Sequence, residues 1–132
     1  MTVMLIFDES PEFQKELKKL SKKWRSLPTD LLLAQKVITS LYISQPGVSS
    51  ELLRSELFSG NKATLLRSSN ELEIVKMRLL CKDLKSDKMV RIIFIFIKNN
   101  NRVLLIEMYA HNEKNREDSY RMNRYSKDIE NK

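Results

Sequence analysis

Residues 90–97, VRIIFIFI, form an apolar run that is rich in isoleucine and phenylalanine and is interrupted by a single charge. Such residues favour strands, and a run without polar alternation is typical of a strand covered on both faces. Residues 98–101, KNNN, follow, and asparagine tolerates the positive φ of tight turns. Residues 102–109 are predicted to return as a neighbouring strand. The fold must therefore be built around an antiparallel hairpin whose first strand is central.

Two further segments are predicted as strands. Residues 3–7 are apolar, with β-branched and aromatic members, and are stopped by the polar sequence DESP. From Glu73 the period is two, as in a half-buried strand, because apolar residues alternate with Lys76 and Arg78. The alternating apolar residues are Val75, Met77 and Leu79. The last three predicted strands form a meander.

Two helices are predicted between the first strand and the others. Ser10 is placed to cap the first, with Pro11 at its first position. Pro28 interrupts the pattern, and Thr29 or Asp30 is placed to cap the second. Apolar residues recur at helical spacings in both. These stripes are Phe13, Leu17, Leu20 and Trp24 in the first helix, and Leu31, Ala34, Val37, Ile38 and Leu41 in the second.

The order of these elements predicts an α+β fold. We expect a small antiparallel or mixed four-stranded sheet packed against an N-terminal helical hairpin, with a C-terminal helix over residues 113–127. A length of 132 residues suits a single domain over 1–132. Residues 44–70 are read as a connecting segment, with a possible short helix near residues 50–58 and a turn at the sequence SGN that follows.

The formal net charge is +7, which favours an anionic partner such as nucleic acid, phosphate or an acidic protein. The excess is localised. Residues 74–102 contain eight Lys or Arg against two Asp, and residues 11–25 contain six against two Glu. The helix lysines are expected to be a solvated face. Lys76, Arg78 and Arg91 are expected on neighbouring strands, where they form either a concave phosphate-binding surface or another solvated face.

Several kinds of protein are not expected from this sequence. The single cysteine, Cys81, cannot close an intramolecular disulfide, so a reducing, cytoplasmic compartment is the simplest expectation. The first residues lack the features of a signal peptide, and the longest apolar run is far shorter than the roughly 20 residues of a membrane span. The chain has no Gly-rich phosphate loop and no Cys/His zinc motif. We therefore expect no cofactor, no metal and no membrane partner.

Four stretches resemble the RelE/ParE superfamily of bacterial and archaeal type II toxins. They are the opening strand with FQKELKKLSKKW, the pair Lys76-Met77-Arg78, the segment VRIIFIFI, and VLLIEMYAHNEKNREDSYRM over residues 103–122. Together they span the first third and the last half of the chain. Two departures accompany the resemblance: residues 44–70 are longer than in many members, and residues 80–88 lengthen the hairpin before Arg91.

The resemblance implies a toxin and a cognate acidic antitoxin that covers the basic groove. RelE-like members cut mRNA, mostly in the ribosomal A site, whereas ParE-like members poison DNA gyrase. The expected function is a metal-independent mRNA endonuclease that inhibits translation, with mRNA on the ribosome and the antitoxin as its partners. Two alternatives remain: a ParE-like gyrase inhibitor, and a catalytically inactive RNA-binding or adaptor module of the same fold.

The resemblance also implies candidate site residues. Nuclease members use basic residues of the central strands, together with Arg, Lys, His or Tyr near the last strand and the segment after it. Matched onto this chain, the candidates for catalysis are His111, Arg91, Lys114 and Tyr120. The candidates for RNA binding are Lys76, Arg78, Arg102 and Tyr109.

These residue types suit metal-free RNA cleavage, which needs a base for the 2′-OH proton, positive charge for the phosphorane, and an acid for the 5′ oxygen. Histidine titrates near neutral pH, so His111 is the simplest acid or base. Arg91 and Lys114 are suited to neutralising the phosphate. Tyr120 or Tyr109 is suited to stacking on a base or assisting proton transfer.

Each candidate also has a structural interpretation. A histidine just beyond a strand is commonly a surface residue, and Tyr109 is expected to pack at the end of the sheet. Cys81 is expected in the core rather than as a nucleophile. Glu107 lies on the alternation face of Val103 and Leu105, where it is either a salt-bridge partner of Arg91 or a general base. The salt bridge is favoured, since a buried carboxylate needs a cation.

Overall fold

The computed structural model describes residues 5–131, and in that range the chain forms four α-helices and one five-stranded sheet. The helices are α1 (Pro11–Lys23), α2 (Leu27–Tyr42), α3 (Ser50–Ser59) and α4 (Ser119–Glu130). The strands are β1 (Ile6–Glu9), β2 (Ala63–Ser68), β3 (Leu72–Cys81), β4 (Ser86–Ile97) and β5 (Arg102–Ala110). The strand order is β1-β5-β4-β3-β2, with β1 parallel to β5 and the other pairs antiparallel.

The α+β class is confirmed, but the prediction of four strands is wrong, because β2 adds a fifth at the sheet edge. Its sequence, ATLLRS, does not alternate cleanly, since Ala63 is its one buried residue and Leu65 is 43% exposed. The pairing with β3 is also irregular between Leu65 and Arg67. Residues 44–70 thus contain a helix and a strand, and the short helix expected near residues 50–58 is confirmed as α3.

The central position of β4 is confirmed. It pairs with β3 on one side and β5 on the other, and the side chains of residues 92–95 are fully buried. The turn after it contains Asn101 at φ 53°. β4 begins at Ser86, earlier than predicted, because Cys81 pairs with Ser86 across the short 3₁₀ turn Lys82–Leu84. This turn places Lys85 at φ 51°.

The two faces of the sheet have different covers. On one face, here called the hairpin face, α1 and α2 pack against residues such as Phe94 and Leu105. On the other, called the α4 face, a smaller apolar cluster includes Ile93, Ile95 and Met122 of α4. No helix in residues 5–131 has both the length and the apolar character that crossing a membrane requires.

The helix starts are partly as predicted. Ser10 caps α1, and its Oγ accepts a hydrogen bond from the Phe13 backbone N–H at 3.1 Å. α2 instead begins at Leu27 with Ser26 before it, so a cap at Thr29 or Asp30 is wrong. The Asp30 carboxylate is buried in the first turn and accepts hydrogen bonds from Ser26 Oγ at 2.7 Å and Lys82 N at 3.1 Å. It therefore joins α2 to the 3₁₀ turn.

The C-terminal helix begins later in the chain than predicted. α4 begins at Ser119, and the Asp118 carboxylate caps it by accepting the Arg121 backbone N–H at 3.1 Å. Residues 111–118, here called the strap, run from the end of β5 to α4. Arg121 also bonds Glu16 of α1 at 2.9 Å and the Ile106 carbonyl at 2.8 Å. α4 is thus held to both α1 and the edge of β5.

A β-bulge in β5 changes which side chains face α4. Ile93 pairs with Glu107 and Phe94 with Leu105, which leaves Ile106 as an extra residue. After the bulge the alternation is inverted, so Tyr109 joins the α4-face cluster while Met108 packs on the hairpin face. The expectation that Glu107 shares a face with Leu105 by simple alternation is therefore wrong.

The contact between α4 and α1 generates a prediction for acid stability. Partial burial alone would raise the pKa of the Glu12 carboxyl, but the hydrogen bond from Tyr125 and the pairing with Arg124 outweigh it and lower the pKa to about 2 from 4.5. The ionised Glu12 carboxylate gives its full stabilisation at pH values above the pKa of the unfolded chain. This stabilisation is lost as the pH falls through the pKa of the folded protein.

We expect Glu12→Gln to lower the free energy of unfolding at pH 7, because it removes the charged partner of Arg124 and Tyr125. The expected loss is only about 1 kcal/mol, since solvent screens this partly exposed pair. The difference from the parent should vanish between pH 4.5 and about 2. Urea unfolding at several pH values measures it. Glu51→Gln, at an exposed position in α3, is the control. A difference that stays constant over this pH range would show that the Glu12 charge plays no part.

Candidate anion-binding cleft

Three polar side chains form a row across the centre of the sheet. Arg78 of β3 pairs in register with Arg91 of β4, and Arg91 pairs with Tyr109 of β5. The row lies on the α4 face. Arg78 shares a strand face with Ile74, and Arg91 shares one with Ile93, and both isoleucines belong to the α4-face cluster. The row continues that face beyond its apolar part.

The row lies in an open cleft of about 230 Å³ on the α4 face. β2 and the turn before it form one wall, and the end of β5 with the strap forms the other. The lining residues are Asn61, Lys62, Thr64, Lys76, Arg78, Arg91, Tyr109, His111 and Asn115. Among residues 5–131 the cleft therefore joins four cationic side chains, a phenol and the single histidine, and its lining contains no carboxylate.

The two arginines of the row are not neutralised within the described chain. No carboxylate among residues 5–131 lies within 4.0 Å of the Arg78 or Arg91 guanidinium, and Arg91 Nη1 donates to the Lys88 carbonyl. Burial lowers the pKa of Arg91, and the neighbouring positive charge of Arg78 lowers it further. Arginine still keeps its proton at physiological pH. Two adjacent, partly desolvated guanidinium groups favour binding of a bidentate anion such as phosphate.

Lys76 and Tyr109 occupy the side of the cleft nearest the strap. The Lys76 ammonium lies 3.5 Å from the carboxylate of Glu117, so the strap partly neutralises it. Burial raises the pKa of the Tyr109 hydroxyl to about 12, and the negative charges of Glu117 and Glu107 contribute to the increase. Tyr109 therefore stays protonated at neutral pH and can donate a hydrogen bond to an anion.

His111 follows β5 directly, and the sheet fixes its backbone. Its N–H donates to the Met89 carbonyl at 2.7 Å, while its side chain is exposed at the cleft. The bulge at Ile106 sets the orientation of this end of β5, because it inverts the alternation that follows. An exposed imidazole beside two guanidinium groups is placed to exchange protons with a bound substrate.

Three of the predicted site residues lie outside the cleft. Lys114 forms an ion pair with the fully buried carboxylate of Glu107, so the expected pair of Glu107 with Arg91 is wrong. Tyr120 is 76% exposed in the first turn of α4. Arg102 lies at the opposite end of β5, where it pairs with Asp8 of β1 at 2.9 Å. The structure thus groups five of the eight candidates, and their roles remain predictions.

The cleft also contains residues that the sequence patterns do not single out. Asn61, Lys62 and Thr64 enter it because β2 is a strand, which the pattern of residues 44–70 does not predict. The turn signal around Gly60 is the one indication that a strand follows. Asn115 reaches the cleft through the path of the strap, for which the sequence carries no signal. In the described range, no group of three or more His, Cys, Asp or Glu side chains could hold a metal ion.

Comparison with known proteins relates the chain to others by fold. No protein-family model matches the sequence, and no curated protein matches it. A chain of the crystal structure of the archaeal RelE-RelB complex from Pyrococcus horikoshii OT3 is similar, with a TM-score of 0.50 and 10% sequence identity. The match covers 82% of this chain and 96% of that chain. This likeness is one of fold, and it agrees with the resemblance seen in the sequence.

The pair of arginines generates a stability prediction, because like charges directly opposite each other destabilise a sheet. We expect Arg78→Met to raise the free energy of unfolding by about 0.5 kcal/mol at low salt while weakening the binding of phosphate. The gain should shrink in high salt, which screens the repulsion. Urea unfolding at two salt concentrations measures the change in stability, and phosphate titration measures the loss of binding. Lys36→Met, at an exposed position in α2, should change little. A salt-independent loss of stability would argue against repulsion.

Proposed function

We propose that this chain is the toxin of a type II toxin-antitoxin system, and that it cuts mRNA without a metal ion. The observation that carries the proposal is the row Arg78, Arg91 and Tyr109, with His111 at its end, in an open cleft. The row offers positive charge and a hydrogen-bond donor for a phosphate, and the histidine offers proton transfer. The RelE-like fold supports the same assignment.

The proposed reaction uses the 2′-OH of the RNA as its nucleophile. The 2′ oxygen attacks the adjacent phosphorus, the bond from phosphorus to the 5′ oxygen breaks, and a 2′,3′-cyclic phosphate forms. The proton of the 2′-OH passes to water, and protonated His111 donates a proton to the departing 5′ oxygen. Arg78 and Arg91 bind the non-bridging oxygens and stabilise the additional negative charge of the phosphorane. Tyr109 donates a hydrogen bond to the same group.

The other residues of the cleft are proposed to hold the RNA on either side of the cut. Lys62 and Lys76 bind flanking phosphates, and Asn61 and Asn115 offer amides for base edges. Lys114 and Tyr120 are proposed only as contacts for more distant nucleotides or the ribosome, since both lie outside the cleft. The structural neighbour belongs to a RelE-RelB complex, and by analogy we propose an acidic antitoxin as the partner that silences this chain.

A cleavage assay tests the proposal. The purified chain is added to a translation extract with a reporter mRNA, and the 3′ ends of the fragments are mapped. We expect Arg91→Ala and His111→Ala each to lower the cleavage rate by about 100-fold, the usual contribution of one acid or one charge-stabilising group. Arg102→Ala is the matched control, because Arg102 pairs with Asp8 at the far end of the sheet.

Two outcomes of this assay would overturn the proposal. Intact mRNA with normal protein synthesis would exclude a nuclease, and inhibition of DNA supercoiling by the same preparation would then favour a gyrase inhibitor. Equal losses in Arg91→Ala and Arg102→Ala would show that general positive charge, rather than the cleft, binds the RNA.

The raised pKa of Tyr109 predicts its role in the reaction. A phenol with a pKa of about 12 stays protonated throughout the working range, so it donates a hydrogen bond and does not act as a base. We expect Tyr109→Phe to lower the cleavage rate about 10-fold while leaving the shape of the pH profile below pH 10 unchanged. A profile that loses an ionisation in Tyr109→Phe would identify the phenol as the base instead.

A further inference from the structure

The ion pair between Lys76 and Glu117 joins the anion-binding cleft to the strap. Of the four cations that line the cleft, Lys76 alone has a carboxylate within 4.0 Å among residues 5–131. The other three are Lys62, Arg78 and Arg91. A carboxylate of the chain itself thus occupies one of the positions at which an anion would bind.

This contact is looser than a hydrogen-bonded ion pair. Lys76 Nζ and Glu117 Oε2 are 3.5 Å apart, and only 13% of the Glu117 side chain is exposed. The Oε2 atom is buried and accepts no hydrogen bond from residues 5–131. A buried carboxylate oxygen without a hydrogen bond has lost its hydration and is only partly compensated by a nearby charge. An anion that arrives at Lys76 can therefore replace this carboxylate at little cost, because Glu117 regains its hydration when it turns into water.

The strap holds Glu117 beside the cleft independently of Lys76. The fully buried carboxylate of Glu107 pairs with Lys114 and accepts the Asp118 N–H at 2.9 Å. These two attachments lie on either side of Glu117 in the strap. Release of Lys76 thus requires the rotation of one side chain, while the backbone of the strap stays in place.

The raised pKa of Tyr109 independently indicates that the charge of Glu117 reaches the row. Burial is the largest cause of the increase to about 12, and Glu117 is the largest contribution from a charged group. Two other acidic residues of the strap have different partners. Glu113 lies 3.6 Å from Lys23 of α1, and Asp118 caps α4. Glu117 is therefore the carboxylate through which the strap acts on the cleft.

We propose that Glu117 is an intramolecular competitor for an RNA phosphate: it holds Lys76 in the free chain and is displaced when the strand binds. This inference rests on the proposed function, because the competing anion is a phosphate that flanks the cut. The same carboxylate lessens the repulsion among the four cations of the free chain, so it stabilises the fold and weakens the binding of the ligand. The strap thereby limits how tightly the cleft holds an RNA strand before and after cleavage.

A double-mutant cycle tests the competition. The probe is a fluorescein-labelled oligonucleotide that carries 2′-O-methyl groups and cannot be cut, and its binding is followed by anisotropy. We expect Glu117→Gln to bind it about 5-fold more tightly than the parent, as for the loss of a partly buried ion pair. In a Lys76→Met background the same change should give no gain. Glu113→Gln is the matched control, because it removes one charge from the same strap but pairs with Lys23 of α1.

The inference fails if Glu113→Gln gives the same gain, since general charge would then explain the effect. It also fails if the gain persists with Lys76→Met, or if Glu117→Gln binds the oligonucleotide no more tightly than the parent. Thermal unfolding checks each variant, and Glu117→Ala replaces Glu117→Gln if the latter does not fold.

RNA cleavage is measured in parallel to separate this inference from the proposed function. If the parent cuts no RNA but Glu117→Gln gains affinity through Lys76, the competition stands and the nuclease proposal fails. If the parent cuts RNA and Glu117→Gln gains no affinity, the nuclease proposal stands and the competition fails.

Discussion

The pairing of β4 with β3 and β5 sets the positions of the other elements and of the cleft. β4 is buried on both faces, so its register is fixed by the apolar clusters above and below it. That register places Arg78, Arg91 and Tyr109 in one row. The bulge at Ile106 is equally necessary, because without it the side chains after Ile106 would alternate to the opposite faces. The fold therefore determines the cleft through one pairing and one inserted residue.

The late start of α4 leaves this cleft open. The helix covers the part of the α4 face that carries Ile93 and Ile95, and the strap crosses the remainder without filling it. The buried carboxylate of Glu107 holds the strap in place, because it pairs with Lys114 and accepts the Asp118 N–H at 2.9 Å. The adjacent arginines, by contrast, have no carboxylate within 4.0 Å in the part of the chain that the structure describes. We expect their repulsion to cost stability, as in other proteins where function conflicts with stability.

Local patterns in the sequence predict much of the fold and part of the site. The apolar run, the asparagine turn and the Ser10 cap are short-range signals, and each is found in the structure. The alternation around Lys76 and Arg78 is sufficient to place them on one face. The β2 strand could not be predicted, because an edge strand lacks the alternating burial that marks an interior one.

The site residues that differ from expectation depend on contacts between distant segments. Lys114 follows the last strand as expected of a site residue, but its ammonium is held by Glu107, and the bulge decides where Glu107 lies. Arg102 carries a suitable charge, although the length of β5 separates it from the cleft. Charge and order along the chain could not show which cations are neutralised. That information belongs to the tertiary structure.

The proposed reaction requires Arg78 and Arg91 to bind the phosphate of a single-stranded RNA. The salt dependence of binding tests this requirement, with an oligonucleotide that carries 2′-O-methyl groups and cannot be cut. For single strands the slope of log K against log salt is about −0.7 per neutralised phosphate. We expect the Arg78→Ala, Arg91→Ala double variant to bind more weakly and its slope to be less steep by at least about 0.7. An unchanged affinity and slope would show that the RNA binds elsewhere and would contradict the proposed role of the two arginines.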